Sequence, residues 1–444
     1  MRIGIAVDYG KYANASSLNL IAKKMFLEFG KLMNKKKTFT VTAIKYEDIG
    51  MGDVNEHFDC ICVPNMGGYR FPHLRALTSK NLIIGVVGID EVVLGEQVFK
   101  TKSEWNMTKP IIEREISKWE KHVDKIKVIH VSTNSDKEQL IKYLKVPQDK
   151  IHVISYGVDH KVFMPPTNKE KTRKKIRGKF YLLDSPYFIH ISEWNWARKN
   201  IFRMLEAFEK ARSDGIEQEL LIVGKIDPIV HKKALTIDGV RVIGFVSEEH
   251  LVELIQGSDA LILPSLHEGF GFPLVEAMAC GTPIITSNVF SPPEIVGDGG
   301  LFADPYNVTD ITNKIIEISR DKKLQKILSE KAYERSKKFL WKDAANKLLS
   351  LIEENTNYDS HNFSFINNQD LAAYRTIVTV CEILPSLGNV ARQDLLEFNY
   401  SRIISWALEV GFKDPDVGDF LIPFKDWLVS HAELDKMPST GNQV

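Results

Sequence analysis

Short apolar runs rich in Ile and Val alternate along this chain with segments whose apolar residues recur at helical spacing. The alternation predicts parallel α/β architecture, because strands covered by helices on both faces read as continuous apolar stretches. In the first half RIGIAVD, TFTVTAI, FDCICVPN, NLIIGVVG, KIKVIHVS and KIHVISYG read as strands, with helices such as 17–33 and 135–144 between them. Met164-Pro165-Pro166-Thr167-Asn168 then breaks the pattern, since two prolines deny helix and strand hydrogen bonds. The second half repeats the alternation with PYFIHIS, QELLIVG, VRVIGFV, ALILPS, PIITS and GLFAD as strands. Helices are expected there at 200–212, 248–256 and 273–279, and across about 309–338.

Two such units predict two Rossmann-like domains with parallel sheets facing a cleft, ligands binding beyond the carboxyl ends of the strands. The expected boundaries are 1–165, 166–338, a helix at 339–354, a polar linker at 355–369 and a helical extension at 370–444. In FLWKDAANKLLSLIEE, residues Leu340, Ala344, Leu348 and Leu351 fall near helical spacing. Residues 370–384 and 390–411 read as further helices, and Trp406, Phe412, Phe420, Phe424 and Trp427 are too much apolar surface to leave in water. Docking of this extension on the first domain is expected, because the helix before it should already cross back.

A chain of 444 residues exceeds one ordinary core, which agrees with two domains. Hydrophobic residues at 44% and charged residues at 26% are a globular composition. Lys plus Arg and Asp plus Glu number 58 each, so charge gives no case for nucleic acid as a partner. Cys60, Cys62, Cys280 and Cys381 form no CxxC pair or zinc pattern and read as reduced core thiols. Met1 runs directly into a strand pattern, and no apolar run is long enough to span a bilayer. A cytoplasmic location is therefore expected, with contact at the inner face of a membrane left open.

The densest chemical signal lies at 264–303, PSLHEGFGFPLVEAMACGTPIITSNVFSPPEIVGDGGLFA. A strand ends at the loop HEGFG, which opens into a helix at Pro273, and proline suits a first helical turn. A helix start behind a glycine loop suits a diphosphate, and Gly269 and Gly271 would let backbone approach it closely. Glu268 lies in the loop and Glu276 is read in the helix's first turn, where one could address a sugar and the other a ribose. Either glutamate alone reads better as a helix cap or dipole partner; the combination with the glycine loop favours a ligand site. Arg198 and Lys199, in NWARKN, either merely flank a helix start or hold an anion there. The helix dipole disfavours cations at that end, which favours the anion.

HEGFGFPLVEAMACGTPIITSN followed by SPPEIVGDGGLF resembles the signature of glycosyltransferase family 4, whose members have the GT-B fold. Residues 132–166 resemble the segment by which that family leaves its first domain, 241–265 its donor-domain middle, and FLWKDAANKLL its crossing-back helix. The resemblance covers 127–349, with its motifs in order. It implies that Glu268 contacts the donor sugar and Glu276 the ribose. It places Gly271, Phe272 and Leu274 around the distal phosphate, Phe245 and Val246 on the nucleobase, and Arg198 and Lys199 on the diphosphate. It further implies transfer from a nucleotide-sugar such as a UDP- or GDP-sugar to a glycan, lipid-linked or other hydroxyl acceptor, with retention and without a metal or cofactor.

The pattern departs from the family in places. Glu193 stands where many relatives place an arginine, so Arg198 is expected to take over that task. VDYGKYANASS lacks the paired glycines of many relatives, leaving Gly10 to serve; the family's first-domain histidine is missing, and Asp90 and Glu91 stand near its place. Runner-up readings are a phosphorylase, an epimerase, or a catalytically silent sugar-nucleotide-binding subunit that scaffolds a partner. Asp414-Pro415-Asp416 reads as a turn rather than a metal motif, and the basic stretch 169–179 as a solvated helix face rather than a membrane contact. His190 reads as core, and Met66-Gly67-Gly68-Tyr69-Arg70 as a turn or a border of the acceptor cleft.

Overall fold

The structure, a computed structural model, describes residues 1–8, 16–36, 38–50, 57–180, 185–192 and 195–356. Gly10, Glu193, Cys381, the Asp414–Asp416 turn and the expected extension lie outside the described residues. In chain order the strands are β1 (Arg2–Asp8), β2 (Thr40–Lys45), β3 (Cys60–Val63), β4 (Leu82–Val86), β5 (Val128–Val131), β6 (Ile151–Val153), β7 (Tyr187–Ser192), β8 (Glu219–Gly224), β9 (Val240–Gly244), β10 (Leu261–Leu263), β11 (Ile284–Ser287) and β12 (Gly300–Ala303). The helices are α1 (Ser16–Lys36), α2 (Asp90–Leu94), α3 (Lys102–His122), α4 (Asn134–Leu144), α5 (Lys169–Phe180), α6 (Ile201–Ser213), α7 (Pro228–Ala234), α8 (Glu248–Gly257), α9 (Phe272–Ala279), α10 (Ser291–Val296), α11 (Val308–Arg320), α12 (Lys322–Ser336) and α13 (Trp341–Asn355).

Two parallel six-stranded sheets result, in the orders β2-β1-β3-β4-β5-β6 and β12-β11-β10-β7-β8-β9. The pairing is in step along each ladder, for example Ile83↔Val128 and Leu261↔Ile284. Every residue of β3, β4, β5, β10 and β11 is buried, as strands covered on both faces must be. In both sheets the order reverses beside the first strand of its half, β1 and β7, which opens a crevice at the carboxyl ends. Helix starts are set locally: Thr101, Thr133, Asp227, Ser247, Asn307 and Asp321 each accept a backbone N–H at the start of the helix they precede.

Three details differ from the sequence reading. The helical region expected across 309–338 resolves into two helices, because Asp321 adopts extended geometry and caps α12 through Leu324 N–H. The buried stripe of α13 is Trp341, Ala344, Ala345, Leu348, Leu349 and Ile352, so Leu340 and Leu351 do not define the packed face. Helix α3, 21 residues long, was not singled out by the pattern because polar residues break its stripe.

The chain leaves the first sheet after β6 and returns to it through α13, which packs against α1. Outgoing and returning segments touch: Val158 N–H donates to Phe339 O at 3.1 Å. A Cβ on Gly157 would lie 2.1 Å from Trp341 N, so only glycine permits this approach. Tyr156, Phe272 and Trp341 stack nearly parallel there, with Phe270 edge-on to Tyr156 and Phe272, and Phe339 edge-on to Phe270.

Candidate functional site

Strand β10 runs into Pro264, and the loop from Ser265 to Gly271 carries the chain to α9. Gly271 caps the helix with φ +81°, a left-handed conformation, and a Cβ there would press on Leu274 at 2.8 Å. Leu274 is buried, and its N–H already donates to Gly271 O at 2.8 Å. Pro273 has no N–H, so the expected phosphate contacts narrow to Gly271 and Phe272. The Phe272 ring is held by Tyr156 and Trp341.

Opposite this loop, residues 195–200 form a tight turn before α6. Asn200 adopts φ +58°, and its Nδ2 donates to Pro264 O and Pro305 O. Leu266 N–H donates to Arg198 O at 2.8 Å, stitching the turn to the glycine loop. These bonds aim both cations at Glu268. Lys199 Nζ donates to Glu268 Oε1 at 2.8 Å, Arg198 Nη1 to Oε2 at 3.1 Å, and Ser265 Oγ to Oε1 at 2.7 Å. Burial alone would raise the Glu268 pKa, but the charges of Lys199 and Arg198 outweigh it and hold the carboxyl at about 2.

Two points follow from this geometry. Glu268 does not sit at a surface cleft: it is 4% exposed, and Lys199 is 1% exposed. In this structure both cations before α6 donate to the Glu268 carboxylate. Glu276 also moves, into the second turn of α9 rather than the first, where it is half-buried. Phe245 follows β9 with its ring 81% exposed, and Val246 beside it is partly exposed. Gly10 lies outside the described residues.

The first sheet's loops close over this loop from the other side. Ser132 Oγ lies 3.1 Å from Gly269 O, His267 Nε2 2.8 Å from Gln139 Oε1, and Thr133 Oγ1 2.8 Å from Ser291 Oγ. The Glu294 carboxylate accepts the Asn134 N–H at the start of α4. A Cβ on Gly269 would meet Gly88 N at 2.7 Å, so the close approach Gly269 allows is to the other sheet's loop rather than to a ligand. Asp90 Oδ2 stands 3.6 Å from Arg198 Nε. Glu294 and His267 sit inside the quoted motifs, but nothing local in the sequence signals their cross-sheet partners.

Outside the site the core readings of His190 and three cysteines hold, whereas the basic helix is partly packed rather than a solvated face. His190 is fully buried with Nδ1 2.8 Å from Ile262 O, and burial holds its pKa down to about 4. Cys60, Cys62 and Cys280 are buried and free, and burial pushes the Cys60 thiol up to about 12. The basic helix α5 lies against α8, where Arg173 pairs with Asp259 and Lys175 with Glu253. Among the described residues no helix is long and apolar enough to cross a membrane.

Residues 172–335 match the family described as glycosyl transferases group 1. That segment holds β7 to β12, both cations and both glutamates. Over 235 residues the chain is 28% identical to O-antigen chain mannosyltransferase B of Escherichia coli, covering 51% of this chain and 61% of the relative. It is 27% identical over 220 residues to N-acetyl-alpha-D-glucosaminyl L-malate synthase of Bacillus anthracis, covering 48% of this chain and 54% of that one. The chain thus spans less than two thirds of these relatives. Among solved structures, sucrose-phosphate synthase of Thermosynechococcus elongatus superposes with TM-score 0.60 at 17% identity, over 80% of this chain and 98% of that one. Anabaena HepE, solved with UDP and glucose, superposes with TM-score 0.58 at 14% identity, over 80% of this chain and 100% of that one. The architecture is GT-B.

Proposed function

We propose that this protein is a glycosyltransferase that moves a hexosyl group from a nucleotide-sugar to an acceptor hydroxyl with retention, without a metal. The observation that carries the reading is the Arg198–Lys199–Glu268 cluster, held rigidly beside the Gly271–Phe272 helix start. A departing nucleoside diphosphate gains negative charge, and two fixed cations favour that state over the ground state. Glu268 holds the cations in place between turnovers. Its Oε2, bonded to Arg198 alone among the bonds given above, keeps capacity for one sugar hydroxyl. The acceptor hydroxyl attacks from the face the diphosphate leaves, and a leaving phosphate oxygen takes its proton. Glu276 is proposed for the ribose, and Phe245 and Val246 for the base. The name of one relative, O-antigen chain mannosyltransferase B, makes mannosyl donors the first to try.

The test is thermal shift with UDP- and GDP-hexoses, followed by product analysis by NMR in the presence of a chelator. Donor cleavage with an α-linked product from an α-donor supports the reading. An inverted product, or a strict magnesium or manganese requirement, would overturn the proposed chemistry. Binding without any cleavage or transfer would instead favour the silent-subunit alternative.

A further inference from the structure

Arg203 is a third cation at the amino end of α6, after Arg198 and Lys199, and the helix dipole disfavours it there. Glu268 takes its hydrogen bonds from Lys199, Arg198 and Ser265, so Arg203 serves something else. Its Nη1 donates to Asn200 Oδ1 at 2.9 Å, and its guanidinium carbon lies 5.4 Å from the centre of the Tyr306 ring. Among the described residues these are its partners, and neither is a carboxylate.

Asn200 is 4% exposed, and both ends of its amide are used. Nδ2 sends one hydrogen to Pro264 O at 3.0 Å and the other to Pro305 O at 2.6 Å, while Oδ1 takes the Arg203 hydrogen. Turned over, the amide would set its oxygen against two carbonyls and its NH2 against a guanidinium, so one orientation is open to it. Asn200 also holds φ +58°, a left-handed conformation that persists where the surroundings fix it. The contacts close into a ring. Asn200 grips Pro305 O, Arg203 grips Asn200, and the side chain of Tyr306, next along the chain, lies under Arg203. Tyr306 is 45% exposed, so burial does not hold it; its N–H donates to Asp304 Oδ1 at 2.9 Å and its hydroxyl to Gln97 Oε1 at 3.0 Å.

We infer that Arg203 is a positioning residue: backed by Tyr306, it locks the Asn200 amide and so sets where the turn presents Arg198 and Lys199. The inference rests on the glycosyltransferase reading above for what those two cations bind. Arg203 acts without touching that anion, through an amide whose other bonds go to backbone carbonyls.

The test uses the full chain and two readouts. Inorganic pyrophosphate, titrated by calorimetry, reports the two cations. Fluorine NMR of protein labelled with fluorotryptophan reports the turn through Trp196, assigned with Trp196→Phe. Arg203→Met and Asn200→Gly should each weaken pyrophosphate about fivefold or more and displace the Trp196 resonance. Glycine tolerates the left-handed φ, so Asn200→Gly removes the amide alone. In the Asn200→Gly background, Arg203→Met should add less than about twofold, because both substitutions cut one link. Arg203→Gln should return binding to within about twofold of wild type, since an uncharged amide at this spacing still reaches Asn200. Additive losses overturn the inference, as does normal binding by Arg203→Lys beside an Arg203→Gln as weak as Arg203→Met; either makes Arg203 a direct anion contact. A lower Tm in Arg203→Met with pyrophosphate affinity and the Trp196 resonance unmoved overturns it as well, leaving a merely structural bond. If wild type binds neither pyrophosphate nor UDP nor GDP, the function proposed above fails, and the Trp196 resonance still decides whether Arg203 and Asn200 hold the turn together.

Discussion

Lys199 Nζ sits 2.8 Å from Glu268 Oε1, a pair of opposite charges almost wholly removed from water. Removing one member of a buried pair leaves the other uncompensated, which costs about 3–5 kcal/mol. Glu268→Ala should therefore destabilise the fold by an amount of that order, visible as a lower urea midpoint, besides abolishing transfer. Lys199→Ala should cost less, because Arg198 and Ser265 still serve the carboxylate. The pH dependence follows the same pair. The folded Glu268 pKa is about 2 against an ordinary 4.5, so its contribution is full above 4.5 and fades as pH falls through 2. Glu268→Gln should remove that acid-side slope; an unchanged slope would show that the charge pair is not what stabilises the site.

Each of the twelve described strands coincides with a run legible in the sequence, β2 overrunning its run by Lys45, because parallel strands buried on both faces leave unbroken apolar segments such as LIIGV and CICV. Glu268, Arg198 and Lys199 were legible as a group only through their motifs. That they satisfy one another was not, since the 69- and 70-residue separations are bridged by the turn pinned through Asn200. The first sheet's loops pack on Glu268's neighbours His267 and Gly269, and no local pattern encodes that packing. Ser132, Gln139 and, through Ser132, Asp136 were invisible for the same reason: the partners Gly269 and His267 come from the other sheet's loop, far away in sequence.

Asp136 makes closure sensitive to protons. Ser132 Oγ lies 2.7 Å from Asp136 Oδ2 and 3.1 Å from Gly269 O, but carries one hydrogen. Burial raises the Asp136 carboxyl to about 8, against the hydrogen bonds from Ser132 and Thr133 and with Glu294 adding to the rise. Protonated Asp136 donates to Ser132 and frees the Ser132 hydrogen for Gly269; ionised Asp136 takes that hydrogen away. With a folded value above the unfolded 3.8, this contribution is full below 3.8 and is lost as pH rises through 8. Urea midpoints at pH 5 and 9 should fall with pH in wild type and much less in Asp136→Asn. Equal slopes in the two proteins would remove Asp136 from the account.

Gly157 tests the crossing of the two segments. An added methyl would meet Trp341 N at 2.1 Å, against backbone that cannot rotate aside. Gly157→Ala should cost roughly 1–3 kcal/mol as overpacking, read as a lower Tm. It should also disturb the stack of Tyr156, Phe272 and Trp341, and with it the glycine loop. A variant with unchanged Tm and unchanged nucleotide affinity would show the crossing to be slack.

Phe245 offers the clearest separation of binding from stability. Its ring is 81% exposed just past β9, so the fold gains little from it. Phe245→Ala should leave stability within about 0.5 kcal/mol, as expected for a surface position. If the ring carries the nucleobase, its loss should remove stacking worth about 1–3 kcal/mol, a fall in nucleoside diphosphate affinity of roughly 5- to 150-fold. Phe245→Trp should keep the affinity, since any flat aromatic face serves. Inorganic pyrophosphate supplies the control: it lacks a base, so its competition for the Arg198–Lys199 site should be the same in wild type and Phe245→Ala. Calorimetry on the three proteins decides the matter. Unchanged nucleotide affinity in Phe245→Ala would move the base to another wall of the cleft, and a loss shared equally by pyrophosphate would mean that the substitution disturbs the phosphate loop instead.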